Sequence, residues 1–294
     1  MRIAVIDKNR CKPKKCAQEC KRFCPRVRTG DDTILFSDGD ERPPIITESL
    51  CSGEGICIKK CPYGAINIVN LPEELEINTS HRYGTNGFKM FNLPVIKRGS
   101  ILGFIGPNGV GKSTAMKILC GEILPNLGNI DNPPDIVDII RHFRGSELQS
   151  LFESMENKTF NAVHKPQNIM DMLKIEKIAT STVENLLSKN DIYGVLPELK
   201  NKMNLNDILD REISMLSGGE LQRVAICGAL VKESDLYFFD EPSAYMDIRE
   251  RIYMSRAIHE LSDRGKSVVV VEHDLSILDY ITDYVCIFYG VPGT

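Results

Sequence analysis

A glycine-rich loop carries the clearest chemistry of the sequence. Residues 106–114 read G-P-N-G-V-G-K-S-T, which has the form G-x-x-x-x-G-K-[ST]. The glycines let backbone N–H groups approach phosphates closely, and the helix that follows adds donors at its N-terminus. We therefore predict that the loop binds a nucleoside triphosphate, with Lys112 on the outer phosphates and Ser113 on Mg²⁺. The predicted binding residues of the loop are Gly106, Asn108, Gly109, Val110, Gly111, Lys112, Ser113 and Thr114.

Two adjacent acids follow an apolar run later in the chain. Residues 236–239, L-Y-F-F, predict a buried strand, and Asp240 and Glu241 come directly after it. An Asp at that place orients the Mg²⁺ shell, and a neighbouring carboxylate can polarise the attacking water. Two solvated acids at a strand end are the plainer interpretation, but the phosphate loop makes it weak. We predict Asp240 as a magnesium-site residue and Glu241 as a catalytic residue.

A second phosphate-binding helix start is predicted between these motifs. Ser217 and Glu220 in L-S-G-G-E-L-Q match an S-x-x-E capping box, so a helix should begin there. The amides of Ser217, Gly218 and Gly219 would then face a phosphate at the positive end of the helix. Alone, the segment predicts only a well-capped helix.

Seven of the ten cysteines lie within the first 61 residues, in two groups. The groups are Cys11, Cys16, Cys20 and Cys24, and then Cys51, Cys57 and Cys61. Each group ends in C-x3-C-P, as the bacterial ferredoxin run does. Zinc sites made of four cysteines also use short spacings, so zinc is the competing interpretation. The C-x3-C-P endings favour iron–sulfur clusters.

The ferredoxin pattern predicts two cluster sites, because the fourth cysteine of each run serves the other cluster. Under this pattern Cys11, Cys16, Cys20 and Cys61 hold one [4Fe–4S] cluster, and Cys24, Cys51 and Cys57 hold the other. Glu54 stands where the second site needs its fourth thiolate. A weak oxygen ligand, a three-iron cluster, and an empty site beside a solvated glutamate all remain open. We expect one complete cluster and one impaired cluster.

Composition narrows the class of protein. Hydrophobic residues make up 42% and charged residues 26% of the 294 residues, and no apolar run approaches the roughly 18–20 residues of a membrane span. We therefore expect a cytoplasmic protein without a membrane partner. Residues 1–29 hold ten Lys or Arg against two Asp or Glu, a net of +8, which suits nucleic acid or merely offsets anionic clusters. Cys120, Cys227 and Cys286 sit among apolar residues and are expected in the core.

Residues 131–155 predict a helical hairpin. Ile136, Ile139, Ile140 and Phe143 form one apolar stripe, and Leu148, Leu151, Phe152 and Met155 form another. Gly145 breaks the chain between them, and Ser146 with Gln149 predicts an S-x-x-Q cap.

The phosphate loop, L-S-G-G-E and D-E-P together resemble the ABC ATPase superfamily. The resemblance implies that Gln167, in K-P-Q, contacts Mg²⁺ and water. It also implies that residues 243–247, S-A-Y-M-D, form the loop that follows the catalytic acid. His273 would be the switch histidine at the γ-phosphate, and it joins Glu241 and Lys112 as a predicted catalytic residue.

The cysteine groups fused to this domain, with C-I-K-K-C-P-Y-G-A-I, H-R-Y and F-R-G-S-E-L-Q, resemble the RNase L inhibitor (ABC-E) family. The resemblance covers the whole chain. It implies a ferredoxin-like α+β iron–sulfur domain at 1–75 and an α/β P-loop ABC ATPase domain at 76–294. It also implies ribosome splitting and recycling, with the small subunit and termination and initiation factors as partners. Tyr83, and less strongly Phe88, would pack on adenine, and the 131–155 insertion would touch ribosomal RNA, with Arg141 and Arg144 near its turn.

The sequence departs from this family at Glu54 and in holding the motifs of one ABC domain where the family has two. Residues 289–293 look like the start of the family's hinge. Since ATP is sandwiched between two halves, turnover by one half should be slow unless a second copy or another chain supplies the opposing half. Three other functions remain open: a transporter's nucleotide-binding subunit, a half that only binds ATP, and an electron carrier.

Overall fold

The computed structural model of the chain describes residues 2–36, 42–70, 79–84 and 87–290. The predicted domain boundary between residues 75 and 76 lies outside the described residues, as do residues 291–293 of the predicted hinge.

The N-terminal region is a small α+β unit, as the family resemblance implied. Its strands are β1 (Arg2–Ile6), β2 (Ile34–Leu35), β3 (Ile45–Ile46) and β4 (Ile66–Asn70), and its helices are α1 (Glu19–Arg22), α2 (Pro25–Arg28) and α3 (Ile56–Lys60). β1 pairs antiparallel with β4, and β2 with β3. A proline follows Cys24 at the start of α2, and another follows Cys61 just after the end of α3. Proline tolerates a helix start but not a helix interior, so these prolines help to set both helix ends. The shared core is small and consists of Ala4, Ile6, Cys20, Ile34, Ile46 and Ile66.

A five-stranded parallel sheet organises the rest of the chain. Its strands are β7 (Ile101–Ile105), β8 (Ala162–Lys165), β9 (Leu236–Asp240), β10 (Ser267–Val271) and β11 (Tyr284–Ile287), in the spatial order β11-β7-β10-β9-β8. The central strands are almost entirely apolar because both faces of a parallel sheet are covered. All five carboxyl ends point the same way, so the segments that follow β7, β8, β9 and β10 meet at one edge.

Helices cover both faces of this sheet. They are α4 (Lys112–Leu119), α5 (Ile136–His142), α6 (Glu147–Glu156), α7 (Glu176–Ala179), α8 (Val183–Ser188), α9 (Leu196–Lys202), α10 (Gly218–Leu230), α11 (Ile248–Asp263) and α12 (Leu275–Ile281). One core contains residues of α8–α12, and another contains residues of α4–α6. A short hairpin, β5 (His81–Arg82) with β6 (Lys89–Met90), precedes the sheet. The parallel sheet flanked by helices confirms the predicted α/β class.

The predicted hairpin of residues 131–155 is present as α5 and α6. Its apolar stripes pack into the core beside α4, and the rings of Phe143 and Phe152 stack with centroids 5.3 Å apart. The predicted S-x-x-Q cap is wrong: the Ser146 hydroxyl donates to the Phe143 carbonyl, and the Gln149 side chain accepts from the Gly145 amide. The tight turn at Gly145, with φ of 82°, lets Gln149 reach that amide instead.

The capping box at the start of α10 is confirmed. The Ser217 side chain accepts from the Glu220 amide, and the Glu220 carboxylate accepts from the Ser217 amide at 2.8 Å. Cys120, Cys227 and Cys286 belong to the hydrophobic cores, as predicted.

Candidate nucleotide site and cysteine sites

A cleft of about 360 Å³ opens at the carboxyl edge of the parallel sheet, a volume suited to a small-molecule ligand. Of the predicted nucleotide residues, those that line it are Phe88, Asn108, Gly109, Gly111, Lys112, Ser113, Thr114, Gln167, Asp240, Glu241 and His273. Four separate motifs therefore meet because β7, β8, β9 and β10 end side by side. α4 starts at Lys112 directly after the loop, so its free amides point into the cleft.

Three predicted side chains join at one carboxylate oxygen in this cleft. Gln167 Nε2 donates to Glu241 Oε1 at 2.7 Å, and His273 Nε2 lies 3.2 Å from the same oxygen. The carboxylate thus stands between the segment after β8 and the segment after β10. This arrangement can hold a water or a hydroxyl group at Glu241 for proton transfer.

One lysine and two acids carry charge in the cleft. Lys112 Nζ donates to the carbonyls of Gly106 and Pro107, at 2.5 and 2.9 Å. Burial lowers the pKa of Lys112, while Asp240 and Glu241 oppose that shift. Burial, and then the Glu241 charge, raise the pKa of Asp240. A divalent cation would relieve the crowding of these two carboxylates, which fits the predicted magnesium role of Asp240.

Phe88 lies directly on the phosphate loop. Gly111 has φ of 104°, and a Cβ there would come within 2.3 Å of Phe88 Cζ, so only glycine allows this packing. Tyr83 is 47% exposed and is not among the residues that line the cleft, and its ring centroid is 6.1 Å from that of Phe88. Phe88, the weaker adenine candidate by sequence, therefore lines the cleft, whereas Tyr83 does not.

Six other predicted residues lie outside the cleft lining. Gly106 begins the loop and packs against Phe288, and the Val110 side chain is buried. The remaining four, Ser217, Gly218, Gly219 and Glu220, form the start of α10. A phosphate bound at that helix start would therefore belong to a different nucleotide from the one in this cleft.

Sequence reasoning missed two buried side chains beneath the cleft. Lys165, at the end of β8, and Gln222, in α10, both bond carbonyls of the turn after β9. Burial lowers the pKa of Lys165 to about 8, against opposition from Asp240, Glu272 and Glu241. Lys165 opens the motif K-P-Q and Gln222 ends the motif L-S-G-G-E-L-Q, and these positions were the available signal, but neither motif predicted a role for these two residues.

The structure brings the cysteines together in the combinations that the ferredoxin pattern predicted. Cys11, Cys16, Cys20 and Cys61 line one cavity, which we call the four-thiol site. Cys24, Cys51 and Cys57 line a second cavity, the three-thiol site, where Glu54 also contributes to the lining. Among the described residues, no three His, Cys, Asp or Glu side chains are grouped closely enough for a single metal ion. Thiols spread around a cavity suit a multi-atom cluster better than zinc.

The thiols have the surroundings that cluster ligands need. The amides of Ala65 and Ala4 donate to the sulfurs of Cys61 and Cys51, each at 3.4 Å. Burial raises the pKa of Cys20 to about 12, and the neighbouring thiols add to the shift. Burial, and then Cys51, likewise raise the pKa of Cys57. Iron would supply the positive charge that stabilises these thiolates, so the four-thiol site fits a [4Fe–4S] cluster.

Glu54 differs from the thiols around it. Its side chain is exposed, and its Oε1 accepts a hydrogen bond from the Ser52 hydroxyl at 2.8 Å. A carboxylate held by a neighbouring serine at the surface is a poor substitute for a soft thiolate. Among the described residues, the lining of the three-thiol site therefore offers three thiols and one carboxylate.

One glutamate joins the cysteine region to the nucleotide region. Glu48, three residues before Cys51, binds Arg82 Nη2 at 3.0 Å and Lys89 Nζ at 2.5 Å. All three side chains are mostly buried, and both cations belong to the β5–β6 hairpin beside Phe88. This ion-pair group therefore links the segment just before Cys51 to the hairpin that carries Lys89 beside Phe88.

No helix within the described part of the chain is both long and apolar enough to span a bilayer.

Comparison with known proteins agrees with this geometry. A family model described as ABC transporter matches residues 93–244, and one described as a possible Fer4-like domain in RNase L inhibitor matches residues 1–32. ABC transporter E family member 1 of Arabidopsis thaliana is 48% identical over 99% of this chain and 48% of its own length. Translation initiation factor rli1 of Schizosaccharomyces pombe is 47% identical over 99% of this chain and 49% of its own length. The chain thus spans about half the length of these relatives.

Solved structures lead to the same family. The chain matches a model of ribosome-bound archaeal Pelota and ABCE1 with a TM-score of 0.89 and 49% identity, over 100% of this chain and 49% of the other. It also matches a complex of the archaeal ribosomal stalk protein aP1 with the recycling factor aABCE1, with a TM-score of 0.68 and 50% identity, over 75% and 42% of the two chains. With its phosphate loop, the acids Asp240 and Glu241 and its cysteine region in one arrangement, the chain belongs to the ABC ATPases and, among them, to the RNase L inhibitor (ABC-E) family.

Proposed function

We propose that the chain binds and hydrolyses Mg-ATP, and that it uses the cycle to split and recycle ribosomal subunits. The observation that carries the ATPase proposal is the joining of Gln167 and His273 at Glu241 above the phosphate loop. The loop amides and Lys112 would hold the phosphates, and Glu241 would polarise the attacking water. Ser113, Gln167 and Asp240 would hold Mg²⁺, which neutralises phosphate charge when bound.

The opposing half of the ATP sandwich must come from elsewhere. Ser217 to Glu220, at the start of α10, are not among the residues that line this chain's own cleft. A second ABC half in the same longer protein, in another chain or in a head-to-tail homodimer would bring such a helix start to the γ-phosphate. Without it, charge on the transferring phosphoryl group is only partly neutralised, and turnover should be slow.

Ribosomal partners are proposed from the relatives and from surface charge. The relatives' names describe translation factors and ribosome-bound proteins. In this chain the basic segment 1–29, and the exposed Arg141 and Arg144 near the α5–α6 turn, could contact phosphates of small-subunit ribosomal RNA. Termination and initiation factors would be further partners, and the cytoplasm would be the site of action.

The iron–sulfur domain would act as a lever. ATP closing the two halves would move the β5–β6 hairpin, and the Glu48 ion pairs would pass that movement to the cysteine region. We propose one complete cluster, at the four-thiol site, and an incomplete one at the three-thiol site. Bound clusters cross-link their loops and so make the lever rigid.

Co-sedimentation with small ribosomal subunits, with and without a non-hydrolysable ATP analogue, tests the ribosomal role. We expect the analogue to increase binding to the subunits. Binding to membranes instead would support a transporter subunit. Failure to sediment with the small subunits, with or without the analogue, would contradict the ribosomal proposal.

Glu241→Gln tests the catalytic assignment. The variant should bind Mg-ATP within about twofold of wild type, because size and hydrogen bonding are kept, and phosphate release should fall by about a hundredfold or more. Glu260→Gln, which removes an α11 carboxylate that pairs with Lys202 of α9, is the matched control and should change neither value. Phosphate release that persists in Glu241→Gln, with a competent opposing half present, would refute this role.

A further inference from the structure

The turn after β9 has an uncommon backbone. Glu241 has φ of 46°, in the left-handed region that non-glycine residues seldom adopt. Its side chain nevertheless reaches both Gln167 and His273. A backbone held in this region needs contacts that overcome its own preference, and such contacts cluster at functional sites.

A buried lysine supplies part of that support. Lys165 is 2% exposed, and its Nζ donates to the Asp240 carbonyl at 2.8 Å and to the Glu241 carbonyl at 3.3 Å. The side chain is not among those that line the cleft. A buried ammonium group that bonds main-chain oxygens, rather than ligand, acts on the shape of the turn.

A buried amide supplies the rest from the other side. Gln222 is 1% exposed, and its Nε2 donates to the carbonyls of Glu241 and Pro242, both at 2.9 Å. Glu272 extends the support, because its Oε1 accepts from the Ser243 amide at 2.8 Å. Four consecutive residues of the turn are therefore hydrogen-bonded by side chains from β8, α10 and the end of β10.

We propose that Lys165 and Gln222 are positioning residues for ATP hydrolysis: together they hold the turn that aims Glu241 into the cleft. The inference rests on the proposed ATPase activity and adds residues that touch neither nucleotide nor metal. It also names a connection, since Gln222 lies in the helix that starts at the second phosphate-binding segment. Lys165 is the last residue of β8, and Gln167 follows it two residues later.

This connection has a mechanical consequence. When an opposing nucleotide engages the start of α10, any shift of that helix moves Gln222 and with it the Glu241 carbonyl. A shift of the segment after β8 would act through Lys165 on the same turn. The catalytic carboxylate is therefore tied to both segments that sense nucleotide.

Lys165→Met tests the proposal, since methionine fills the apolar path of lysine without its donor. Each variant of the full chain is assayed for Mg-ATP affinity, for turnover at saturating ATP with a competent opposing half present, and for melting temperature. We expect turnover to fall by at least about tenfold while affinity stays within about threefold, because only the aim of Glu241 changes. Gln222→Met should show the same split, and it covers the case in which a buried Lys165→Met fails to fold.

Lys200→Met is the matched control, because Lys200 is also largely buried and pairs with Glu184 in another part of the domain. It should leave affinity and turnover unchanged. Turnover within about twofold of wild type in the folded test variants would overturn the inference alone. A joint loss of affinity, turnover and melting temperature would also overturn it, since that indicates a purely structural role. A wild-type chain without any turnover, even with a competent opposing half present, would instead overturn the proposed ATPase function, and the inference with it.

Discussion

The nucleotide cleft and the cysteine region differ in what holds their functional side chains. In the cleft, Gln167 and His273 meet at Glu241, and Lys112 bonds carbonyls of its own loop. In the cysteine region two backbone amides donate to thiols, and burial raises the pKa of Cys20 to about 12. The cleft is organised by the chain, whereas the cysteine region relies on what it binds.

The two regions also differ in core size. The sheet and its helices bury two large hydrophobic clusters, while the buried core of the cysteine region consists of short aliphatic residues and one thiol. A domain this small rarely folds on hydrophobic burial alone, and metal is one common supplement. Loss of iron should therefore destabilise the cysteine region and leave the sheet and its helices folded.

Iron removal should produce the largest effect. After anaerobic chelation, amides in β1 and β4 should lose protection from hydrogen exchange by orders of magnitude, because metal binding energy is folding energy in such domains. Amides of β9 and β10 in the same sample are the internal control and should stay protected. Unchanged protection in β1 would contradict the claim that the cysteine region depends on iron for its stability.

Glu54→Cys should sharpen the contrast within the cysteine region. The wild-type chain should contain fewer than the eight irons of two complete clusters, and the variant should approach eight because it restores the missing thiolate. Ser52→Cys adds a thiol to the same loop out of register and is the matched control. Eight irons in the wild-type chain, counted with sulfide after anaerobic purification, would refute the incomplete second site.

Phe88→Ala should weaken ATP binding by about tenfold, since stacking of a base on an aromatic ring contributes about 1–3 kcal/mol. Affinity for Mg-tripolyphosphate, which has no base, should stay constant. Tyr83→Ala is the matched variant and should change ATP affinity by about twofold or less, because Tyr83 is outside the cleft lining. A larger loss in Tyr83→Ala would return the adenine role to that residue.

Ser217→Ala should have only a small effect, a loss of about 1 kcal/mol in unfolding free energy, because it removes a helix cap that the chain makes by itself. Ser146→Ala should cost less, since the Ser146 side chain does not cap α6. Urea unfolding followed by circular dichroism measures both. Equal losses would mean that the observed capping geometry does not govern stability.

Much of the ATPase region was predictable because its motifs are local patterns. The phosphate loop of residues 106–114, the strand before Asp240 and the capping box at Ser217 each depend on residues within a few positions of one another. All three elements were predicted and are present. The grouping of the cysteines into two sites was also predictable, since in the ferredoxin run the fourth cysteine belongs to the other site.

The sequence by itself determined the class of fold and the residues of each local pattern, because spacing along the chain sets which groups share a loop or a helix face. Only the tertiary structure decided that Phe88 lies on the phosphate loop, that Gln149 bonds Gly145, and that Lys165 and Gln222 hold the turn at Glu241. The physical reason is that these contacts join residues whose separation is set by the packing of strands and helices, and no short pattern records that packing.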